Sequence, residues 1–343
     1  MFSIDKSTSF FISENLQAPL KGLAFLRFIL LSYAIFFYFK IFDYSFLKYW
    51  VIIFLIVSFD IFFEFFFGFN TLGIKSNYIG RIASFTGDEL KIGGFYFGFL
   101  FLSLAFFSEK KLFIPLLAIF FIISLVIGER SNFLKVSVMY FCFFLFFVNI
   151  SLFKKFFFII LIFILTFFIA NQSPNLKAKY NFIDIFGINQ KIYNITDKNF
   201  LNSVINENRY FIHYKIAANI FKQNLLFGKG FKTYRTESYN EKYFDDTLEF
   251  SVGYGSTHPH QLHFEILSEL GIIGYILIVS NFIFLLFKQS NLKKNFLTKG
   301  SILFLIASLF PLLPSGSFFT SFVATIFFIN YSFLINPRIL IKK

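Results

Sequence analysis

Apolar residues in this chain come in uninterrupted blocks, each close to the roughly 20 residues a helix needs to cross a bilayer. That pattern decides most of what the chain can fold into. No water in the hydrocarbon core can hydrogen-bond a bare backbone, so a crossing segment satisfies its own amides as a helix. Composition agrees: 57% of residues are hydrophobic and only 15% charged, where a soluble domain has about 25% charged. The reading is an all-α integral membrane protein, a single polytopic domain over 1–343, with about nine transmembrane helices (eight to eleven fit).

The expected spans lie near 22–42, 46–68, 93–108, 112–127, 136–153, 156–170, 264–287, 300–316 and 318–336. Lys40, Lys48, Lys110, Lys111, Lys154, Lys155, the 288–299 cluster and Arg338 fall on one side, the cytoplasmic side by the positive-inside rule. The outer side then holds 69–92, 128–135 and one large loop, 171–263. Nine spans put the N-terminus outside. The first twenty residues carry no apolar signal-peptide core. Within the large loop, Arg209–Leu226 has Ile212, Ile216 and Ile220 on one face, as in an amphipathic helix. Asn206, Glu207 and Asn208 can cap it, Gly228 and Gly230 end it, and it is expected to lie along the membrane–water interface. Cys142, the lone cysteine, sits in an apolar run and reads as packing.

The net charge of +13 is partly a by-product of lysine abundance, which accompanies abundant Asn, Ile and Phe. It does not point to nucleic acid. Arginine is scarce, six residues in all, so each one placed on the outer side is a candidate for the bidentate grip on phosphate that lysine lacks. Of these, Arg81, Arg130 (in Gly128-Glu129-Arg130-Ser131-Asn132) and Arg209 are the ones singled out.

Three of the four histidines fall in His258-Pro259-His260-Gln261-Leu262-His263, at the mouth of a late span that continues through Glu265 and Glu269 to Gly271 and Gly274. Ser256 or Thr257 is expected to cap this helix with Pro259 in its first turn, putting His260, His263, Phe264 and Leu267 on one face. Three readings compete: interfacial histidines touching headgroups, a zinc site from His-x-His with carboxylates, and a general base. Pro259 splits the His pair, which weakens the metal reading, and the outer arginines favour the base. Gly271 and Gly274 would let a neighbouring helix approach closely. Asp60 and Glu64, in the second span, are expected to face a cavity or a partner. A lipid-linked-sugar flippase or transporter is an alternative, but it would want broken or charged helices at the midplane, which here is nearly all Phe, Leu and Ile.

The chain resembles the O-antigen ligase and O-antigen polymerase superfamily of bacterial envelope enzymes over about residues 70–335. The ligase pattern is His-Asn/Ser/Gln, nine residues, then Gly-x-x-Gly, and His260-Gln261 followed by Gly271-Ile272-Ile273-Gly274 meets it without gaps. The Gly128–Ser131 turn, the Arg209 helix ending in Gly228-Lys229-Gly230, the Gly87–Leu90 turn and the 311–319 turn match family features. The chain differs in having fewer N-terminal spans, so it looks shortened there, and in lacking a loop cysteine pair. The resemblance implies a GT-C-like glycosyltransferase of the bacterial inner membrane, working at the periplasmic face on an undecaprenyl-diphosphate-linked saccharide. The acceptor would be lipid A–core for a ligase or a second lipid-linked saccharide for a polymerase. It implies His260 as base, Arg130, Arg209 and Arg81 on the diphosphate, and His258, His263, Gln261, Glu265, Gly271 and Gly274 in support. No metal or other cofactor is expected, and the transfer would invert the anomeric centre.

Overall fold

A computed structural model describes residues 14–41, 47–78, 80–89, 91–172, 174–180, 209–244, 255–290, 295–311 and 313–335. All regular structure among these residues is helical. The helices are α1 (Glu14–Ile41), α2 (Leu47–Phe67), α3 (Ile92–Leu104), α4 (Phe113–Val126), α5 (Arg130–Phe147), α6 (Leu152–Gln172), α7 (Pro174–Tyr180), α8 (Arg209–Gln223), α9 (Leu262–Ser290), α10 (Phe296–Ser308) and α11 (Ser321–Ile335). Among the described residues five segments are long and apolar enough to cross a membrane: Leu20–Phe39, Leu47–Phe67, Arg130–Phe147, Leu152–Asn171 and Leu262–Gln289. Four further apolar helices, Ile92–Phe107, Phe113–Val126, Phe296–Ser308 and Ser321–Ile335, are shorter. The described residues are thus all-helical where regular, and the chain is an integral membrane protein.

It divides into two compact units. Unit one comprises residues 1–33, 186–284 and 314–328; unit two comprises 34–185, 285–313 and 329–343.

Unit two is the larger helical body. α10 packs on α3 and α5, and α2 packs on α3 and α4. Between helices in lipid there is little hydrophobic drive, so close packing and internal polar ties hold them. Phe54 stacks on Tyr96 at 4.6 Å and meets Phe120 edge-on at 4.9 Å. Gly300 brings α10 against Phe101: an added Cβ would stand 2.9 Å from the Phe101 Cβ. Asn330 donates to the Gly98 carbonyl at 3.0 Å, and Gln289 to Leu334 at 2.6 Å.

Asp60 and Glu64 correct the expectation of a cavity or a partner. Both are buried and grip the loop that follows their own helix. Asp60 accepts from the Thr71 amide (2.8 Å) and from the Thr71 and Ser84 hydroxyls (both 2.6 Å). Glu64 accepts from the amides of Ala83 (3.0 Å) and Ser84 (2.6 Å).

Unit one is built around α8 and the start of α9. The apolar face predicted for α8 exists, but Ile212, Ile216, Ala217 and Ile220 are buried against Tyr234 and Tyr243. Protein covers this face, in place of the lipid interface expected. The reason is local: Gly230 ends the turn after α8, and the chain folds back to lay Tyr234 on it. The Asn206–Asn208 cap lies outside the described residues, as does the whole 181–208 stretch of the large loop.

Candidate functional site

The His258–Gly274 region assembles differently from its sequence pattern. α9 begins at Leu262, not near Pro259. Gln261 caps it: its side-chain oxygen accepts from the Phe264 amide at 2.9 Å and its carbonyl from the Glu265 amide at 3.0 Å. Ser256 does not cap the helix; its hydroxyl donates to the His258 carbonyl at 3.0 Å within the preceding loop.

His260 therefore stands just before the helix and does not share a helical face with His263. It has φ +57°, a left-handed conformation that costs a non-glycine residue on the order of 1 kcal/mol and needs outside support. Support comes from the Ser315 amide, which donates to the His260 carbonyl at 2.8 Å. The 315–318 segment is in turn tied to Glu265, whose carboxylate accepts from the Ser317 hydroxyl (2.5 Å) and the Phe318 amide (2.8 Å). Glu265 thus acts on His260 through this loop.

Around the His260 ring stand His258 at 4.1 Å, His213 of α8 at 5.4 Å and Tyr210 at 5.5 Å edge-on. Burial first, then the neighbouring imidazoles His258 and His213, push the His260 pKa down from 6.5 to about 3. Burial, then His213, lower that of His258 to about 4, partly opposed by the Ser315 backbone. Both rings are neutral at neutral pH, the form in which imidazole accepts a proton. His263 is engaged elsewhere, with its Nδ1 3.0 Å from the Tyr275 hydroxyl.

Gly271 has φ +66° and ψ −170°, so α9 breaks there. The freed backbone groups are taken by the turn after α8. Lys229 and Gly230 amides donate to Ser268 and Glu269 carbonyls, and Ile272 and Ile273 amides donate to Leu225 and Leu226. A Cβ on Gly271 would sit 2.4 Å from the Leu226 carbonyl oxygen, and one on Gly228 would meet Glu269 equally closely. Gly271 thus admits a loop backbone, where a neighbouring helix was expected. At Gly274 the closest atoms to an added Cβ belong to Leu270 of the same helix. Glu269 completes the junction by accepting from the Lys232 amide (2.6 Å) and the Tyr234 amide (3.3 Å).

Arg81 and Arg130 belong to unit two. Their loops touch: the Ile82 amide donates to the Ile127 carbonyl at 3.0 Å, and Gly128 (φ +76°) passes so near Gly80 that a Cβ there would overlap its carbonyl. Glu129 is buried beside them and accepts from Asn132. Burial raises its pKa, opposed by Asn132, then Arg81, the Gly93 amide and Lys135. Arg130 donates through Nε to the Lys179 carbonyl, which ties α7 to α5. The Tyr180 hydroxyl donates to the Leu125 carbonyl at 2.8 Å. Lys179 is a cation the sequence reading missed. Its pKa is lowered by burial, then by Arg81 and Arg130, as expected for a third positive group in one place. Arg209 opens α8, but its side chain lies outside the described residues.

Beneath this cationic group, unit two has an apolar cavity of about 700 Å³. Phe121, Phe133, Phe141, Phe144, Phe167 and Tyr180 are among its lining residues.

The largest gap in the sequence reading is His213. It is the fourth histidine of the chain, four residues after Arg209, and that spacing was the one available signal. Among the described residues no three His, Cys, Asp or Glu side chains converge as a metal set.

Residues 115–279 match the family model described as O-antigen ligase. The match includes the Glu129–Arg130 turn, α8 and the His260–Gly274 motif. No curated protein and no solved structure matches the chain significantly.

Proposed function

We propose that this chain, which the O-antigen ligase family model matches over residues 115–279, transfers a glycan from an undecaprenyl-diphosphate donor to a sugar hydroxyl, with His260 as base. The family places it in lipopolysaccharide biosynthesis as a multi-pass membrane protein with ligase- or polymerase-type activity on lipid-linked saccharides. The finer reading is ours. Nine apolar helices cross the bacterial inner membrane, and the site faces the periplasm. The acceptor is lipid A–core, the transfer inverts the anomeric centre, and no metal takes part.

The observation that carries this reading is His260 itself. A half-buried imidazole is held in a supported left-handed conformation among other rings. A sugar hydroxyl is a weak nucleophile, and a base fixed in place removes its proton as the new glycosidic bond forms. The diphosphate departs with growing negative charge, which Arg130, Arg81 and Arg209 stabilise. A lipid-linked donor also needs an apolar lining next to cations, and unit two supplies both in the phenylalanine cavity and the Arg81–Arg130–Lys179 group.

Purified full-length protein, given lipid-linked saccharide in chelator with and without lipid A–core, tests the assignment. One addition to the core is expected. A ladder of lipid-linked products without core makes it a polymerase, and absence of any glycan transfer, with zinc or without, sinks the reading.

A further inference from the structure

α8 buries Ile212, Ile216, Ala217 and Ile220, and His213 lies among them at 9% exposure. An aliphatic side chain would fill such a position without polar cost, whereas a buried imidazole loses hydration that must be made good. The backbone at this residue is fixed: the Tyr234 hydroxyl donates to the His213 carbonyl at 3.2 Å. With α8 held in this way, the His213 ring stands 5.4 Å from that of His260, which is itself 4.1 Å from His258. Tyr210, three residues earlier, closes the edge of the His260 ring at 5.5 Å. Among the groups facing this cluster are Tyr210, the Thr257 hydroxyl 2.9 Å from His258 Nδ1, and Ser315 through its backbone, while Tyr234 meets the His213 carbonyl. Three of the chain's four imidazoles therefore form one contiguous group drawn from two distant segments.

We propose that His213 is a positioning and proton-holding residue for His260, so that His213, His258 and His260 act as one unit carrying a single proton. This rests on the base role given to His260 above. As the acceptor oxygen bonds to the anomeric carbon, its proton passes to a ring nitrogen of His260. The bond from that carbon to the diphosphate oxygen breaks, and its electron pair leaves with the diphosphate. The proton on His260 then exchanges with His258 and His213 and is released to water, which returns the group to its neutral state. One proton enters and one leaves per transfer. A proton on any one ring disfavours a second on its neighbours, so the group titrates as a coupled set. His213 thereby keeps His260 neutral in the resting enzyme and shares the charge once it forms.

The test uses the full chain in lipid nanodiscs, with lipid-linked saccharide and its acceptor, and compares wild type with His213→Gln, His213→Asn and His260→Ala. His213→Gln is expected to keep KM and thermal stability, to lower kcat by about tenfold, below the ~10²–10⁴ of a full acid–base group, and to move the acid limb of kcat/KM upward toward 6.5. The upward direction follows from removing a neighbour whose charge depresses His260. A purely structural residue would lower the folded fraction without moving the limb. His213→Asn guards against one variant failing to fold. If His260→Ala is inactive while both His213 variants match wild type in kcat and acid limb, this inference falls and the base role stands. If His260→Ala is fully active, the base role itself falls.

Discussion

On α2, Asp60 and Glu64 are buried four residues apart and accept from Thr71, Ala83 and Ser84. On α9, Glu265 and Glu269 are buried four residues apart and accept from Ser317, Phe318, Lys232 and Tyr234. The spacing puts both carboxylates of a pair on one helix face. Each hydrogen bond to such a group contributes roughly 1.5–3 kcal/mol. The two pairs do the same work in different units: they fasten loops whose backbone would otherwise be unsatisfied. Among the described residues three non-glycine residues have positive φ: Ser84, Lys232 and His260. Ser84 and Lys232 donate directly to a clamp carboxylate, and His260 is held by the segment that Glu265 fastens.

What differs is the chemistry the clamps hold. In unit one the clamped segments surround imidazoles, and burial lowers the pKa of His258 and His260. In unit two the clamped loop carries Arg81 against the Arg130 turn, and the cations crowd one another. Ionisable residues within a membrane span are read by default as functional. Here four of them fasten loops, and the candidate residues Arg81 and His260 lie on or against the segments they hold.

Three measurements sharpen or break the proposed division between a proton-taking unit and a charge-stabilising one. The largest effect is expected from His260→Ala, a loss of about 10²–10⁴ in kcat with KM little changed and normal membrane insertion, because a base acts on the transition state. Near-wild-type kcat in a purified assay would leave unit one without its chemistry. Next comes Arg130→Lys, which keeps the charge but loses the planar fork. A fall of about tenfold to a hundredfold in kcat/KM is expected, and unchanged kinetics would reduce Arg130 to its bond with the Lys179 carbonyl. The smallest effect is in pH dependence. The working form of the base is neutral, and a folded pKa lowered from 6.5 to about 3 keeps it so in acid. The acid limb of kcat/KM should then lie well below 6.5, leaving activity flat between about pH 7 and pH 5. The same shift contributes stability above 6.5 that is lost as pH falls toward 3, since the unfolded chain takes up its proton first. A limb at 6.5 would describe an exposed imidazole and contradict the enclosed ring.

Much of this molecule is written in short-range pattern. The apolar blocks specify membrane helices because the bilayer leaves the backbone no other partner, and each expected span has a helix in the structure, four of them shorter than 18 residues. The His260-Gln261…Gly271-x-x-Gly274 spacing is visible along the chain, and so is the scarcity of arginine. Periodicity misled where a contact came from far away. It put His260 on the face of α9, because nothing nearby reveals that Ser315 would hold it in a left-handed turn. It gave Gly271 to a neighbouring helix, because the sequence does not show the turn at 225–230 arriving to fill a helix break.

The sequence by itself determined the solvent this protein lives in, its helical class and the residue types that can carry its chemistry, since these follow from composition and local spacing. The tertiary structure alone decided which carboxylates clamp loops, that His213 joins His258 and His260, and that Lys179 joins the arginines. Those pairings link segments far apart in the chain, and long-range contacts leave no periodic trace in a single sequence.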